Sequence, residues 1–165
     1  MQRTGATAAA LAELLGFRPE RAARLRAAAA VHDVGKAAIP SEILQKPDSL
    51  TAAERAVVER HTLIGHRILI GAARPDARTA ATIALTHHER FDGGGYPCGL
   101  AGNDIPIVGR IVAVADVIDA LLSDRPYRPA LRREDAFELV AEGVGAQFDP
   151  AVAVPALEHA EVLIA

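Results

Sequence analysis

The sequence predicts an all-α fold, a compact bundle of several helices. Half of the 165 residues are hydrophobic, which is enough to bury the core of a single domain. Aromatic residues make up only 4% of the chain and Trp is absent, so we expect a core of Ala, Leu, Ile and Val. This composition favours close-packed helices over sheets, and apolar residues recur at helical spacing along most of the chain.

Start and stop signals divide the chain into helices. Gly16 ends the first periodic segment, and Pro19 occupies a position favoured in the first turn of a second. Thr51 and Glu54 have the spacing of a capping box, which predicts that a long helix follows. The expected helices cover residues 3–15, 19 to the 31–36 segment, a short stretch between 40 and 47, 52–70, 75–88, 107–122, 132–143 and a last short one after 149–150.

Two of these segments have distinctive compositions. Residues 90–106 contain five Gly and two Pro, which predicts an ordered loop instead of a helix. Residues 107–122 are almost entirely apolar apart from two aspartates, so we expect the most buried helix there.

Charge and cysteine content narrow the class of protein. A net charge of −3 argues against a protein that binds nucleic-acid polymers non-specifically. No apolar run reaches the roughly 18 residues that would predict a membrane span, and the first residues lack the order of a secretory signal. The single cysteine, Cys98, cannot form an intramolecular disulfide and has no evident base beside it. We therefore expect a cytoplasmic, single-domain protein and an inert Cys98.

Four histidines at three places in the chain are candidate metal ligands. His32 and Asp33 follow an apolar stretch, where a buried His–Asp pair needs a partner. That partner is either a divalent metal or a buried ion-pair or hydrogen-bond network. His87 and His88 end a predicted helix, where two rings could face two metals. His61 has a mid-helix position that could face inward with Ile64 and Ile68, and a histidine in such a position is by itself more often a satisfied core residue than a ligand.

Two aspartates lie inside the apolar segment 107–122. Asp116 and Asp119 are three residues apart and share a helix face, and an unpaired carboxylate is costly there. Either they serve a metal or they bond to neighbouring Arg or Ser groups. The remaining histidines, His66 and His159, have no such context and receive no role.

In combination these residues suggest metal-dependent phosphate chemistry. His and Asp ligands without thiolates suit Fe, Mn, Zn or Mg, and one carboxylate can bridge two ions. Phosphate substrates also need cations. Lys36 follows the His–Asp pair by one turn, and Arg125 and Arg128 flank a proline turn. The alternatives are a helix-end charge for Lys36 and a solvated turn for the two arginines.

The motifs resemble those of one family over nearly the whole chain. They are HDVGK at 32–36, IPSEILQKP at 39–47, His61, HHERFDGGGYPCGL at 87–100, RIVAVADVIDALLSDRPYR at 110–128 and FDP at 148–150. Their order and spacing resemble the HD-GYP subgroup of the HD phosphohydrolases. The resemblance implies an HD-domain-like helical bundle with an ordered loop around Gly95-Tyr96-Pro97. It also implies hydrolysis of cyclic di-GMP to pGpG in bacterial second-messenger signalling, with continued hydrolysis to GMP left open.

Site roles follow from the resemblance, position by position. The implied cofactor is a pair of divalent metal ions, with Fe or Mn favoured and Zn, Mg, Ni or Co compatible. Asp33 is the implied bridge between the ions, and the nucleophile is water instead of a side chain. Tyr96 borders the substrate mouth, and its loop is a docking surface for diguanylate-cyclase (GGDEF) domains. Asp119 is expected to be a supporting acid. The implied metal ligands are His32, Asp33, His61, His87, His88 and Asp116, and the implied phosphate contacts are Lys36, Arg125 and Arg128.

The sequence departs from the family pattern at its start. The first helix of the family opens with a His ligand in an H-x-x-R pattern, and Arg3 matches the Arg, so the His would precede Met1. A Glu found earlier still in trinuclear members is also missing. We expect a domain that lacks the start of its first helix and an upstream receiver or sensor domain. Two other hypotheses are a degenerate module that binds cyclic di-GMP or docks a cyclase, and a phosphohydrolase for another nucleotide.

Overall fold

The computed structural model describes residues 2–124 and 129–163, and its secondary structure within these ranges is helical. Val144 and Phe148 form an isolated bridge, and the described residues contain no β-strand. The predicted fold class is thus confirmed. The helices are α1 (Gln2–Leu14), α2 (Pro19–Ala29), α3 (Ser41–Leu44), α4 (Ala52–Ile70), α5 (Ala77–Thr86), α6 (Ile107–Leu121), α7 (Arg133–Glu142), α8 (Pro150–Glu158) and α9 (Ala160–Leu163), with 3-10 helices at Val34–Ala38 and Gly102–Asp104.

The predicted boundaries agree closely with the observed ones where the sequence carries a cap. Helix α4 begins after Thr51, whose side chain accepts a hydrogen bond from the backbone N–H of Glu54, while the Glu54 carboxylate accepts one from the Thr51 backbone. Gly16 follows α1 with a φ of +81°, a conformation that favours glycine. The sequence did not predict α9, a single turn without a cap signal.

The core is formed where α1, α2, α5 and α6 pack against one another, and α7 and α8 close its other side. Small residues allow the close helix approaches that the composition predicts. The prediction that α6 is the most buried helix was wrong, because α5 buries six of its ten residues and α6 six of its fifteen. One side of α6 faces a cavity instead of the core. The largest fully buried apolar side chains are Phe148, Leu11, Leu25, Ile83, Ile105, Ile111 and Ile118.

None of the described helices combines the length and apolar character that crossing a lipid bilayer requires.

Candidate metal centre

A glycine brings the His32-Asp33 turn against α4. The turn follows α2 and leads into the 3-10 helix Val34–Ala38, whose Gly35 packs on the backbone of α4. A Cβ atom at Gly35 would overlap the carbonyl oxygen of His61 and lie 2.6 Å from the backbone nitrogen of Gly65. Only glycine permits this approach. The close contact places Asp33 beside the ring of His61.

Three buried histidines, His32, His61 and His87, are oriented by their own helices. A backbone carbonyl can only accept a hydrogen bond, so the ring nitrogen Nδ1 facing it carries the proton. In the neutral ring the lone pair then lies on Nε2, at the opposite edge. The acceptors of the three Nδ1–H groups are the carbonyls of Ala29 (2.7 Å), Val58 (2.7 Å) and Ile83 (2.9 Å), respectively.

The three Nε2 atoms converge on Asp33. Its Oδ1 lies 3.3 Å from Nε2 of His61 and 3.7 Å from Nε2 of His87, and its Oδ2 lies 3.5 Å from Nε2 of His32. These distances do not come with hydrogen-bond geometry, because Oδ1 and all three Nε2 atoms are buried without a hydrogen-bond partner. Four unsatisfied polar atoms facing one point are costly unless a further group satisfies them.

His88 and Asp116 complete the set of side chains that could bind a metal. The side chains of Asp33, His61, His87 and His88 each offer a ligand atom, and these atoms lie within 4.8 Å of one another. Oδ1 of Asp116, on α6, lies 3.2 Å from Nε2 of His32. Nitrogen and carboxylate donors at this spacing fit a divalent cation, so the cluster could hold a metal ion. All six side chains that the resemblance implied as ligands thus meet in one place.

The two carboxyl groups are held in their charged form. Burial acts to raise the pKa of Asp33, but the imidazoles of His61 and His87 outweigh it and lower that pKa well below the usual range. Burial likewise opposes ionisation of Asp116, and the neighbouring His32 lowers its pKa. Both carboxylates are therefore available as ligands without having to lose a proton first.

The histidine rings divide into two electrostatic classes. Burial lowers the pKa of His87, and burial together with the rings of His87 and His61 lowers the pKa of His88 to about 2. Burial also favours the neutral form of His32, but Asp116 and its other carboxylate neighbour raise the pKa of His32. The surroundings thus favour the neutral, metal-binding form of His87 and His88, whereas the carboxylates beside His32 favour its protonated form.

The residues implied as substrate contacts have different positions. Nζ of Lys36 donates to Oδ2 of Asp33 at 2.5 Å, and its side chain is 39% exposed. The ring of Tyr96 lies 4.9 Å from that of His88 at an angle of 30° and lines a cavity that reaches the centre. Arg125 and Arg128 lie outside the described residues.

Asp119 does not join the cluster. It accepts hydrogen bonds from the hydroxyls of Thr4 (2.8 Å) and Ser123 (3.3 Å), and Nε of Arg3 lies 3.2 Å from its Oδ1. This agrees with the alternative that such an acid bonds to neighbouring Arg and Ser groups. The contacts tie the beginning of α1 to α6, one turn beyond Asp116.

Sequence reasoning missed the role of Glu89. Its side chain is buried, and its two carboxylate oxygens accept hydrogen bonds from the backbone N–H groups of Cys98 (2.7 Å) and Leu100 (3.0 Å). This folds the glycine-rich loop back over the end of α5 and holds Tyr96 near His88. The available signal was an acid directly before a loop whose backbone donors lack helical partners.

Two polar residues of α4, Arg55 and Glu59, were also missed. Both line the cavity with Tyr96 and His88. They are one helical turn apart and so share a face of α4, a spacing that was visible in the sequence.

Comparisons with known proteins identify the family to which the chain belongs. A family model described as an HD domain matches residues 1–152. A cyclic di-GMP phosphodiesterase response regulator of Xanthomonas campestris pv. campestris is 46% identical over 150 residues, which is 91% of this chain and 40% of that protein. The 3'3'-cGAMP-specific phosphodiesterase 2 of Vibrio cholerae is 42% identical over 165 residues, which is 100% of this chain and 32% of that protein. The chain thus spans well under half the length of these curated relatives.

A solved structure supports the fold. The HDG"Y"P protein of Bdellovibrio bacteriovorus superimposes with a TM-score of 0.70 at 23% identity, covering 96% of this chain and 51% of that one. The matched motifs, the helical bundle and the family model lead to one conclusion. The chain belongs to the HD domain family, in its HD-GYP subgroup.

Proposed function

We propose that this domain is a metal-dependent phosphodiesterase that hydrolyses cyclic di-GMP to linear pGpG in bacterial signalling. The observation that carries the proposal is the convergence of three buried imidazole Nε2 atoms, none with a hydrogen-bond partner, on the carboxylate of Asp33, whose own Oδ1 is also buried and unpartnered. Relatives named as cyclic di-GMP phosphodiesterases, at 46% and 44% identity, support the substrate class.

The donor set supports two ions that share Asp33. Its Oδ2 faces His32, which also contacts Asp116, and its Oδ1 faces His61 and His87, with His88 in the same group. A carboxylate whose two oxygens face different ligand groups is suited to bridge two cations. Nitrogen and oxygen donors without thiolate are compatible with Fe, Mn, Zn or Mg, and we favour Fe or Mn on the family resemblance. When bound, the ions would lower the pKa of a water and offset the charge of the reacting phosphate.

The protein's own residues position and shield the reaction. The Nδ1 hydrogen bonds fix the ring orientation of the three buried histidines before any ligand arrives. Lys36 extends from Asp33 towards solvent, where its ammonium can neutralise a non-bridging phosphate oxygen. Tyr96 covers one side of His88 and limits access of bulk water.

Hydrolysis of cyclic di-GMP by the metal-loaded chain tests the proposal. The chain is purified anaerobically, loaded with Fe²⁺ or Mn²⁺ and incubated with cyclic di-GMP, and products are separated by liquid chromatography. Formation of pGpG, lost in a His87→Ala variant, is the expected result. Binding of cyclic di-GMP without turnover across Fe, Mn, Zn, Mg, Ni and Co would instead indicate a degenerate binding module.

Hydrolysis of 3'3'-cGAMP is a second candidate activity. A relative named for that substrate is 42% identical and matches the whole chain. A panel of cyclic dinucleotides separates the two activities.

We also propose that the loop around Gly95-Tyr96-Pro97 docks a GGDEF domain and that the protein acts in the cytoplasm with an upstream receiver or sensor domain. Exposed loop positions such as Gly94 and Gly99 support a docking surface. Loss of co-purification with a GGDEF domain in a Tyr96→Ala variant would support it, and unchanged co-purification would contradict it.

A further inference from the structure

A cavity of about 330 Å³ leads from the metal centre to α4. His87, His88 and Asp116 of the centre line it, and so do Arg55 and Glu59 of α4. This volume is at the lower end of the range for small-molecule sites, roughly 300–1,000 Å³, and suits one half of a cyclic dinucleotide. A phosphate at the metal centre would therefore direct its attached nucleoside towards α4.

Arg55 and Glu59 are free to contact a ligand. Within the described residues neither side chain has an ion-pair partner within 4 Å, whereas Glu54 on the same helix is paired with Lys46. Arg55 is exposed, and Glu59 is half-buried in the cavity wall. One turn separates them, so their side chains project from the same helix face.

Both charges act on the Tyr96 hydroxyl. Burial is the largest cause of the raised pKa of Tyr96, and the negative charge of Glu59 adds to it while Arg55 opposes it. Both side chains line the same cavity as this tyrosine, which borders the centre. The cavity lining thus combines an aromatic ring, a carboxylate and a guanidinium.

The hydrogen-bonding groups of Glu59 and Arg55 match those of guanine. A carboxylate only accepts hydrogen bonds, and guanine offers two adjacent donors, N1–H and the N2 amine. A guanidinium only donates, and guanine offers the acceptors O6 and N7. Adenine has an acceptor at N1 and no amine at C2, so it would leave the carboxylate facing a lone pair.

We infer that Glu59 and Arg55 form a guanine-reading subsite that makes this domain select guanine over adenine in its cyclic dinucleotide substrate. The inference rests on the proposed phosphodiesterase function and specifies its substrate class further. The choice of base matters for this family, because the relatives include enzymes named for cyclic di-GMP, which has two guanines, and for 3'3'-cGAMP, which has one guanine and one adenine.

Kinetics with guanine-containing and guanine-free substrates tests the subsite. The metal-loaded chain is assayed with cyclic di-GMP, cyclic di-AMP and bis(p-nitrophenyl) phosphate, which carries no base. For Glu59→Gln we expect the ratio of kcat/KM for cyclic di-GMP to that for cyclic di-AMP to fall about tenfold, the size of a lost bidentate base contact. Arg55→Gln should lower the same ratio. Arg60→Gln, an exposed neighbour outside the cavity lining, is the control and should leave the ratio unchanged.

Equilibrium binding to the wild-type chain provides a second test. It requires neither turnover nor a correctly folded variant. Calorimetric titration of the wild-type chain with GMP and with AMP should show tighter binding of GMP. Equal affinities, or an unchanged ratio in Glu59→Gln, would overturn the subsite. If bis(p-nitrophenyl) phosphate and both dinucleotides are all left intact by the wild type, the proposed function itself fails. Turnover without base preference contradicts only the guanine-reading role.

Discussion

The ammonium of Lys36 lies 2.5 Å from Oδ2 of Asp33, while Oδ1 of the same carboxylate has no hydrogen-bond partner. The carboxylate is thus paired with a cation of the protein on its outer side and left open on its inner side. Because its side chain is 39% exposed beside this carboxylate, Lys36 is the lysine that we expect to meet the substrate phosphate.

Replacing Lys36 by Met should reduce hydrolysis without unfolding the domain. A hydrogen bond to a charged group contributes about 1.5–3 kcal/mol, so kcat/KM for cyclic di-GMP should fall roughly 10- to 100-fold. Steady-state kinetics measures the effect. The other lysine of the chain provides the matched control, because Lys46 pairs with Glu54 on the outer end of α4 and Lys46→Met should keep most activity. Equal losses in both variants would refute a phosphate contact by Lys36.

His61→Ala should abolish tight metal binding. The substitution removes one of three Nε2 donors that face Asp33, and it leaves a cavity where a buried ring stood. Elemental analysis of the purified variant should show a clear loss of bound metal relative to the wild type. His159→Ala is the control, because His159 is exposed at the end of α8 and outside the cluster. Metal content that stays at the wild-type level in His61→Ala would contradict the assignment.

Gly35→Ala should destabilise the fold. The added Cβ meets the backbone of α4 at His61 and Gly65, which cannot move as a side chain would. Overpacking of this kind costs about 1–3 kcal/mol, and urea denaturation of the metal-free protein measures it. Gly71→Ala is the matched control, since a Cβ there would have its nearest neighbour at 3.9 Å and φ is −89°. Similar midpoints for Gly35→Ala and wild type would show that the contact is looser than described.

The capping box of α4 should make a pH-dependent contribution to stability. The side chain of Lys46 and the Thr51 cap lower the pKa of Glu54 to about 2 from an ordinary value near 4.5. A depressed folded-state pKa stabilises the protein above the unfolded-state pKa, and the effect disappears as the pH falls through about 2. Melting temperatures of wild type and Glu54→Gln should therefore differ at pH 6 and converge towards pH 2. A difference that is constant over this range would exclude the carboxylate as its source.

Glu89→Gln should loosen the glycine-rich loop. The amide that replaces one carboxylate oxygen is a donor, so one of the two backbone N–H groups of Cys98 and Leu100 loses its acceptor. Hydrogen exchange of the peptide covering these residues should be faster than in the wild type. Asp104→Asn, an exposed substitution in the same loop, should leave exchange at Cys98 and Leu100 unchanged. Unaltered exchange in Glu89→Gln would show that the loop is held by other contacts.

Local signals in the sequence predicted most of the helix boundaries. The capping box at Thr51 is a contact between residues three apart, so the beginning of α4 can be read without knowledge of the fold. The six residues of the candidate metal centre were also recognisable, because their pattern is carried by residue type and order. The expected direction of burial was less reliable: His61 is fully buried as expected, whereas Ile68, expected on the same face, is 48% exposed.

Contacts between distant segments were not predictable in the same way. Nothing near Gly35 in the sequence indicates that it touches His61, 26 positions later, because the requirement for glycine arises from the approach of two backbones. The same holds for Arg3 and Thr4, which meet Asp119 across the bundle. Such relationships depend on how the helices pack, which residue periodicity constrains only loosely.

Each buried imidazole of the centre takes its tilt from a carbonyl three or four residues earlier in its own chain segment. Ring orientation is therefore settled as soon as the local turn forms, before any neighbouring segment is in place. What remains for the tertiary structure is to bring three correctly angled rings within reach of one carboxylate. A state with intact helices but loosened packing would keep the orientation of each imidazole ring, but the three Nε2 atoms would no longer meet at Asp33. Metal uptake by this domain should consequently report on tight packing of its helices and be insensitive to helix content alone.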